Sequence, residues 1–374
     1  MSNMIDYIDW RGDIPLSASP FNEIDNLLFA ELSYINFKHV IPEAPKYGWV
    51  TLAETMRTYM SLHRGEKEKL GLIMPDDYLE MARRMALSRR FSEMKLTGYV
   101  RYLDTAREEQ FSALTVDLLD GTYLIVYSGT DDSVIGWKED LNLAFLASIP
   151  AQDDAADYLE LMAEALPGDL RVSGHSKGGN LAMYAAAKNS SKYSDRIIRV
   201  YNNDGPGFLE GMIESQGYRA IRDRIITITP QTSIVGSLLY NTARQLIVKS
   251  TVKIGIGQHD AYSWQVLGSR FVEVPEGRTG ESLRFDSMMK SWLSGMTPKD
   301  REDMTEIVYK LLGAGEKRTL TELGGDKTAI IKAYRKLSDE EKSIAKKHLK
   351  SLIAAGGESI LQSIGLARAG NRLK

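Results

Sequence analysis

With 374 residues, 43% of them apolar and 26% charged, the chain can bury a large core and lacks the polar bias of a disordered protein. Its 47 Lys and Arg against 50 Asp and Glu leave a net charge of -3, so no global field draws it to nucleic acid. The absence of cysteine excludes disulfides, thiolate nucleophiles and cysteine-bound zinc or iron–sulfur clusters.

Residues 1–20 read as an irregular arm punctuated by Gly12, Pro15 and Pro20. Residues 21–91 carry helical spacing, with Leu27, Leu28, Ala30, Leu32 and Ile35 on one stripe and a capped start expected at Pro75-Asp76-Asp77. The texture changes near 94. Two β-branched, apolar runs at 112–119 and 122–127 flank Asp120-Gly121, which predicts a hairpin. A helix is expected at 151–166, a strand at 170–173, a helix at 178–188, and strands at 196–202 and 224–229. Strands alternating with helices indicate a parallel sheet covered on both faces. The apolar segment 233–256 suggests a lid, 271–274 a last strand or edge, and 281–296 a closing helix. From 298 onward the pattern is helical and basic residues outnumber acidic ones, as on a solvated helical bundle. Three regions are expected: an arm with helices at 1–93, an α/β core at 94–297 and a helical extension at 298–374. The start carries no secretory pattern and no long apolar run occurs, so a cytoplasmic location is expected.

The chemistry concentrates at Gly174-His175-Ser176-Lys177-Gly178-Gly179. Gly174-x-Ser176-x-Gly178, set between a short apolar strand and a helix rich in small residues, predicts a nucleophile on a tight strand-to-helix turn. Of five histidines, His175 sits beside the nucleophile with its ring expected to point elsewhere, and His39, His63 and His348 lie outside the sheet. His259 follows the last confident strand, where such folds place the base. Two acids compete. Asp204 ends the strand after the nucleophile's helix, and Asp260 adjoins the base. Asp204 is preferred, since neighbouring side chains diverge, although it also suits a turn before Gly205-Pro206-Gly207. An oxyanion hole needs two aimed N–H groups. Lys177 supplies one, and Thr130, in the Gly129-containing loop after the 122–127 strand, supplies the other together with its hydroxyl.

These residues resemble the class 3 lipases, an α/β-hydrolase group. The matching text is Tyr127-Ser128-Gly129-Thr130, then Trp137-Lys138-Glu139-Asp140, then Gly174 through Ala182. The chain is also similar to lipase-like bacterial proteins of unassigned function that carry Asn-Asp-Gly-Pro-Gly-Phe and Gln-His-Asp-x-Tyr-x-Trp. Here these read Asn203-Asp204-Gly205-Pro206-Gly207-Phe208 and Gln258-His259-Asp260-Ala261-Tyr262-Ser263-Trp264. The resemblance implies an α/β-hydrolase fold with Ser176 as nucleophile, His259 as base, Thr130 and Lys177 at the oxyanion, and Asp140 anchoring the oxyanion loop. Class 3 lipases place their acid near 232–235, where this chain has Ser233. The Lys177 charge stands where lipases carry an apolar residue and suggests an anionic substrate.

The expectation is a serine hydrolase acting on a small-molecule or lipid ester, with peripheral lipid contact, no nucleic acid partner, no cofactor and no metal. The alternatives are a non-catalytic binding module on the same frame, or an acyltransferase or amidase using the same triad.

Overall fold

The computed structural model describes residues 2–64, 77–131, 134–143, 146, 148–253, 256–312 and 327–352. At its centre is an eight-stranded sheet whose spatial order follows the chain: β1 (Val50–Thr51), β2 (Lys95–Asp104), β3 (Glu109–Asp117), β4 (Thr122–Tyr127), β5 (Asp169–His175), β6 (Ile197–Asn203), β7 (Ile225–Pro230) and β8 (Arg244–Val248). β1 to β4 pair antiparallel and β4 to β8 pair parallel. The expected hairpin joins β3 to β4, with Gly121 at φ +89° in the turn.

Helices α1 (Met4–Arg11), α2 (Glu23–Leu32), α3 (Leu52–Leu62) and α4 (Asp77–Leu87) precede the parallel strands. Within the sheet region follow α5 (Val134–Asn142), α6 (Pro150–Ala165), α7 (Lys177–Lys188) and the short α8 (Ser190–Tyr193), α9 (Glu210–Ile213) and α10 (Gln216–Ile221). α11 (Gly280–Ser294) and α12 (Pro298–Leu312) come next, and helices Lys327–Lys336 and Asp339–Leu352 end the described chain.

The strand order explains where the layers lie. Parallel strands added one after another in a single direction, with right-handed crossovers, send their connecting helices to one face. That face packs Ile125, Tyr127, Val172 and Val200 against α6, α7 and α10 through Leu159, Met162, Leu181 and Tyr218. The opposite face, which carries the alternate residues Leu124, Val126, Tyr201 and Ile228, would be bare. The N-terminal helices cover it with Leu27, Leu28, Phe29, Met81 and Met85, joined by Trp264 and Phe271 from the segment after β8. This is an α/β-hydrolase fold in which the N-terminal helices form one whole layer.

Three expectations are corrected. The arm contains α1, because the Asn3 side chain accepts from the Ile5 N–H while Asp6 reaches back to the Asn3 N–H, a reciprocal cap that starts a helix. Within the 233–256 segment expected as a lid, Arg244–Val248 is instead β8, paired residue by residue with β7. The last strand is therefore β8, and Arg270–Phe271 pairs with Val266–Leu267 in a separate two-stranded ribbon. β2, which the sequence did not announce, extends the sheet on the hairpin side. The capped start expected at Pro75 and Asp76 lies outside the described residues, and α4 begins at Asp77.

Candidate active site

Ser176 stands between the end of β5 and the first turn of α7 at φ +57° and ψ -130°. A non-glycine residue in that region costs about 1–3 kcal/mol, which the surrounding packing must hold in place. The two motif glycines follow from that packing. A Cβ on Gly174 would meet the Gly178 backbone, and one on Gly178 would meet the Tyr127 carbonyl. The elbow is fixed from below, where the Ser176 N–H donates to the Asn203 carbonyl at 2.9 Å. The Asn203 Nδ2 donates to the Gly174 carbonyl at 2.9 Å, and Asn26 of α2 donates to Asn203 Oδ1 at 2.9 Å.

Asp204 follows β6 at φ +50° and is fully buried. Its Oδ2 lies 2.7 Å from His259 Nδ1. A carboxylate only accepts, so Nδ1 of His259 carries a proton, and the neutral ring has its lone pair at Nε2. The other oxygen, Oδ1, accepts from Ser233 Oγ at 2.6 Å, and Ser233 Oγ in turn accepts from the Gly236 N–H at 3.0 Å. Ser233, at the position where the resemblance expects an acid, thus bonds to Asp204, one strand earlier. The competing Asp260 caps its own turn by accepting from the Tyr262 N–H at 3.0 Å.

The loop that carries His259 is tied down by its neighbours. Gln258 accepts from the Thr232 N–H at 2.8 Å and donates to the Val252 and Lys253 carbonyls. The Trp264 indole donates to the Gln258 carbonyl at 2.9 Å. The His259 ring stacks on His175 with centroids 4.6 Å apart and an interplanar angle of 27°. His175, beside Ser176, therefore does not point elsewhere but backs the His259 ring. His63 bonds the Tyr59 carbonyl and His348 pairs with Asp300, both away from the sheet ends. Among the described residues, Ser176 Oγ makes no hydrogen bond, to His259 or otherwise; catalytic hydrogen bonds of free enzymes often close only around substrate.

The loop after β4 lies against the elbow. A Cβ on Gly129 would meet the Tyr34 hydroxyl and the His175 carbonyl. Among the described residues the N–H groups of Thr130 and Lys177 have no partner, and Lys177 opens α7, whose positive end faces the site. The Thr130 hydroxyl is already engaged, donating to Asp140 Oδ2 at 2.7 Å, so of its two expected donors only the N–H is free. Asp140 is thereby tied to the loop after β4. Burial outweighs the nearby Lys177 charge and the Thr130 bond and pushes its carboxyl up to about 6, and its Oδ1 is buried without a partner.

The Lys177 side chain corrects a further expectation. It runs inward, 1% exposed, with Nζ 2.6 Å from Glu139 Oε2 and donating to the Gln110 carbonyl at 2.7 Å and to Gln110 Oε1 at 3.0 Å. An ammonium so occupied selects no anionic substrate. Gln110 in turn accepts from the Asp131 N–H and donates to the Gly129 carbonyl, both at 3.4 Å. Gln110, Glu139 and Lys177 thus brace the loop from behind. Glu139 falls in the stretch that carries the resemblance, but nothing in the sequence marks Gln110.

A family model for Mbeg1-like proteins matches residues 85–310. The chain belongs to the Mbeg1-like family. No curated protein sequence matches it. Among solved structures it is similar to a mutant of MDLA from Penicillium cyclopium, with TM-score 0.38 and 11% identity over 68% of this chain and 86% of that one. It is also similar to a protein described as a fungal lipase, with TM-score 0.38 and 12% identity over 74% and 90% of the two chains. A triacylglycerol lipase from Penicillium expansum gives TM-score 0.32 and 11% identity over 48% and 73%. These overlaps are partial, and nothing about the substrate of this Mbeg1-like chain follows from them. Among the described residues no helix is long and apolar enough to cross a membrane.

Proposed function

We propose that this Mbeg1-like chain is a serine hydrolase of carboxylic esters, with Ser176 as nucleophile, His259 as general base and Asp204 as the acid that orients it. The observation that carries this reading is the 2.7 Å contact between the buried Asp204 carboxylate and His259 Nδ1, on a loop packed against the strained Ser176 elbow. The contact fixes the tautomer that leaves Nε2 free to take a proton. Ser176 Oγ attacks the acyl carbonyl as His259 Nε2 accepts its proton, and Asp204 stabilises the imidazolium. The oxygen that becomes negative receives the N–H groups of Thr130 and Lys177. His259 then protonates the leaving alcohol, and water, activated by the same imidazole, releases the acid.

Labelling with a fluorophosphonate probe followed by peptide mapping tests the reading without a guess at the substrate. The expected result is label confined to the peptide that holds Ser176, abolished by Ser176→Ala and strongly slowed by His259→Ala. Folded protein that stays unlabelled with and without detergent or lipid overturns the hydrolase assignment and favours a binding module. Competition between water and added alcohols or amines in an ester assay separates hydrolysis from acyl transfer.

A further inference from the structure

Behind His259 lies a second group of titratable side chains that the triad does not use. His175 is buried between α2 and the His259 loop. Its Nε2 is 3.1 Å from the His259 carbonyl oxygen. A carbonyl can only accept, so Nε2 carries a proton. Burial, with the neighbouring His259 ring, holds the His175 imidazole well below the usual histidine range, so the ring is neutral and its Nδ1 is a bare acceptor. Two groups face that nitrogen. The Tyr34 hydroxyl, 3.1 Å away, can donate to it or, at 3.5 Å, to the His175 carbonyl. Glu31 Oε1 of α2 lies 3.2 Å away.

An ionised carboxylate set against a lone pair would be repelled. A protonated one can donate to it. Glu31 is fully buried, and among the described residues no geometrically sound hydrogen bond reaches either of its oxygens. Burial raises its carboxyl to about 8, the Tyr78 hydroxyl opposes that rise and the Asp260 charge adds to it. The groups packed around this cluster are Tyr78 of α4, Tyr262 and Asp260 beyond His259, and Asp77, Asp131 and Asp140 further out. Among them the described contacts place no lysine or arginine on Glu31, so only the Tyr78 hydroxyl favours its charged form, and burial outweighs it.

We propose that His175 is a positioning residue for His259, holding its carbonyl and backing its ring from the Nε2–H tautomer, and that Glu31 is the neutral carboxylic acid facing Nδ1. The role fits the reaction. When His259 becomes imidazolium, the ring stacked on it must stay uncharged, because two stacked cations would oppose proton uptake from Ser176. A neutral Glu31 keeps the His175 proton on Nε2 without adding a charge beside the site. The catalytic part of this inference rests on the hydrolase reading above; the protonation states do not.

The decisive measurement is nitrogen-15 NMR of the imidazoles in the full chain across pH 6 to 9. The expected result at pH 7 is a neutral His175 protonated on Nε2, with a shift near pH 8 as Glu31 ionises, and loss of that shift in Glu31→Gln. For ester hydrolysis, His175→Phe retains a stacked ring but no hydrogen bond. It should lower kcat about tenfold at unchanged KM, the lower end of what outer partners of functional imidazoles supply. Glu31→Leu should behave likewise, with recovery in Glu31→Gln, whose amide can donate to Nδ1, and with loss there of the alkaline fall of kcat/KM. A His175 protonated on Nδ1 at pH 7 overturns the proposal, as does a wild-type kcat in His175→Phe. Absence of label on Ser176 removes the hydrolase reading, and the tautomer measured on wild-type protein still decides the Glu31–His175 pair.

Discussion

Replacing Lys177 by Met tests whether the oxyanion loop is braced from inside. The Lys177 and Glu139 side chains are 1% and 0% exposed, and their charged atoms are 2.6 Å apart. Removing one partner of such a pair typically costs about 3–5 kcal/mol, because the other charge stays buried without compensation. Here the lower end is expected, about 3 kcal/mol, since Glu139 still accepts from the Gln110 N–H at 3.3 Å and the Ala151 N–H at 3.2 Å. Neutralising the survivor should reverse most of the loss. In Lys177→Met with Glu139→Gln, the Gln oxygen can keep one of those N–H donors and no buried charge remains. Urea denaturation of the wild type, both single variants and the double variant gives the cycle directly. The double variant should be more stable than Lys177→Met by about 2 kcal/mol, the order expected when a charge left alone in the interior is removed. A Lys177→Met protein within about 1 kcal/mol of wild type, or a double variant no better than the single one, would mean that water reaches Glu139 and that the brace is not built as described.

Asp204→Asn should fold and lose about 10⁴-fold in kcat, because an amide in place of the carboxylate no longer enforces the Nδ1–H tautomer of His259; steady-state kinetics on a chromogenic ester read the effect, and an unaltered kcat removes Asp204 from the triad. Ser233→Ala deletes the 2.6 Å donor to Asp204 Oδ1 and the acceptor of the Gly236 N–H. It should cost about 1–3 kcal/mol of stability and lower kcat with little change in KM, by denaturation and kinetics respectively. Asp140 carries a pH signature. Its carboxyl sits at about 6 in the folded chain against an ordinary value of 3.8, so folding favours the protonated form. The unfolded chain releases that proton first, and the stability this group contributes is full below about 4, falls as pH rises to about 6 and is then lost. Asp140→Asn should therefore gain stability relative to wild type between pH 4.5 and pH 7.5, and a pH-independent difference in denaturation midpoints would refute the shift.

The sheet was legible where the signal was local. Asp120-Gly121 between two β-branched runs makes a hairpin by turn geometry alone, and Gly174, Ser176 and Gly178 announce an elbow because only glycines fit where backbones meet. Asp204 could be ranked above Asp260 from its place at the end of a strand. β8 was not legible, because an edge strand that begins Arg244-Gln245 looks like a loop until β7 supplies its partner. α1 had a cap signal in Asn3 and Asp6 that lay among turn formers. Glu31 and Gln110 could not be found by pattern, and the role of Glu139, though it lies in the matching Trp137–Asp140 stretch, could not be read from it. Their contacts to His175 and Lys177 span many residues of chain, and each is an ordinary polar residue until burial removes water from it.

The layer formed by α1 to α4 has a consequence for how the chain can be divided. The family match begins at 85, after most of that layer. A fragment trimmed to 85–310 would keep Thr130, Ser176, Lys177, Asp204 and His259. It would also strip Leu27, Leu28 and Phe29 from one side of the sheet, leaving Leu124, Val126 and Ile228 open to water. Asn26 would leave Asn203 and the underside of the elbow short of a donor, and Glu31 and Tyr34 would leave His175. Because α1 to α4 cover strands that leave the ribosome later, they must wait, apolar face exposed, for β5 to β8. The smallest self-sufficient unit is thus larger than the segment that defines the family, and its N-terminal helices are as much a part of the Ser176 surroundings as the strands that carry Ser176 and Asp204.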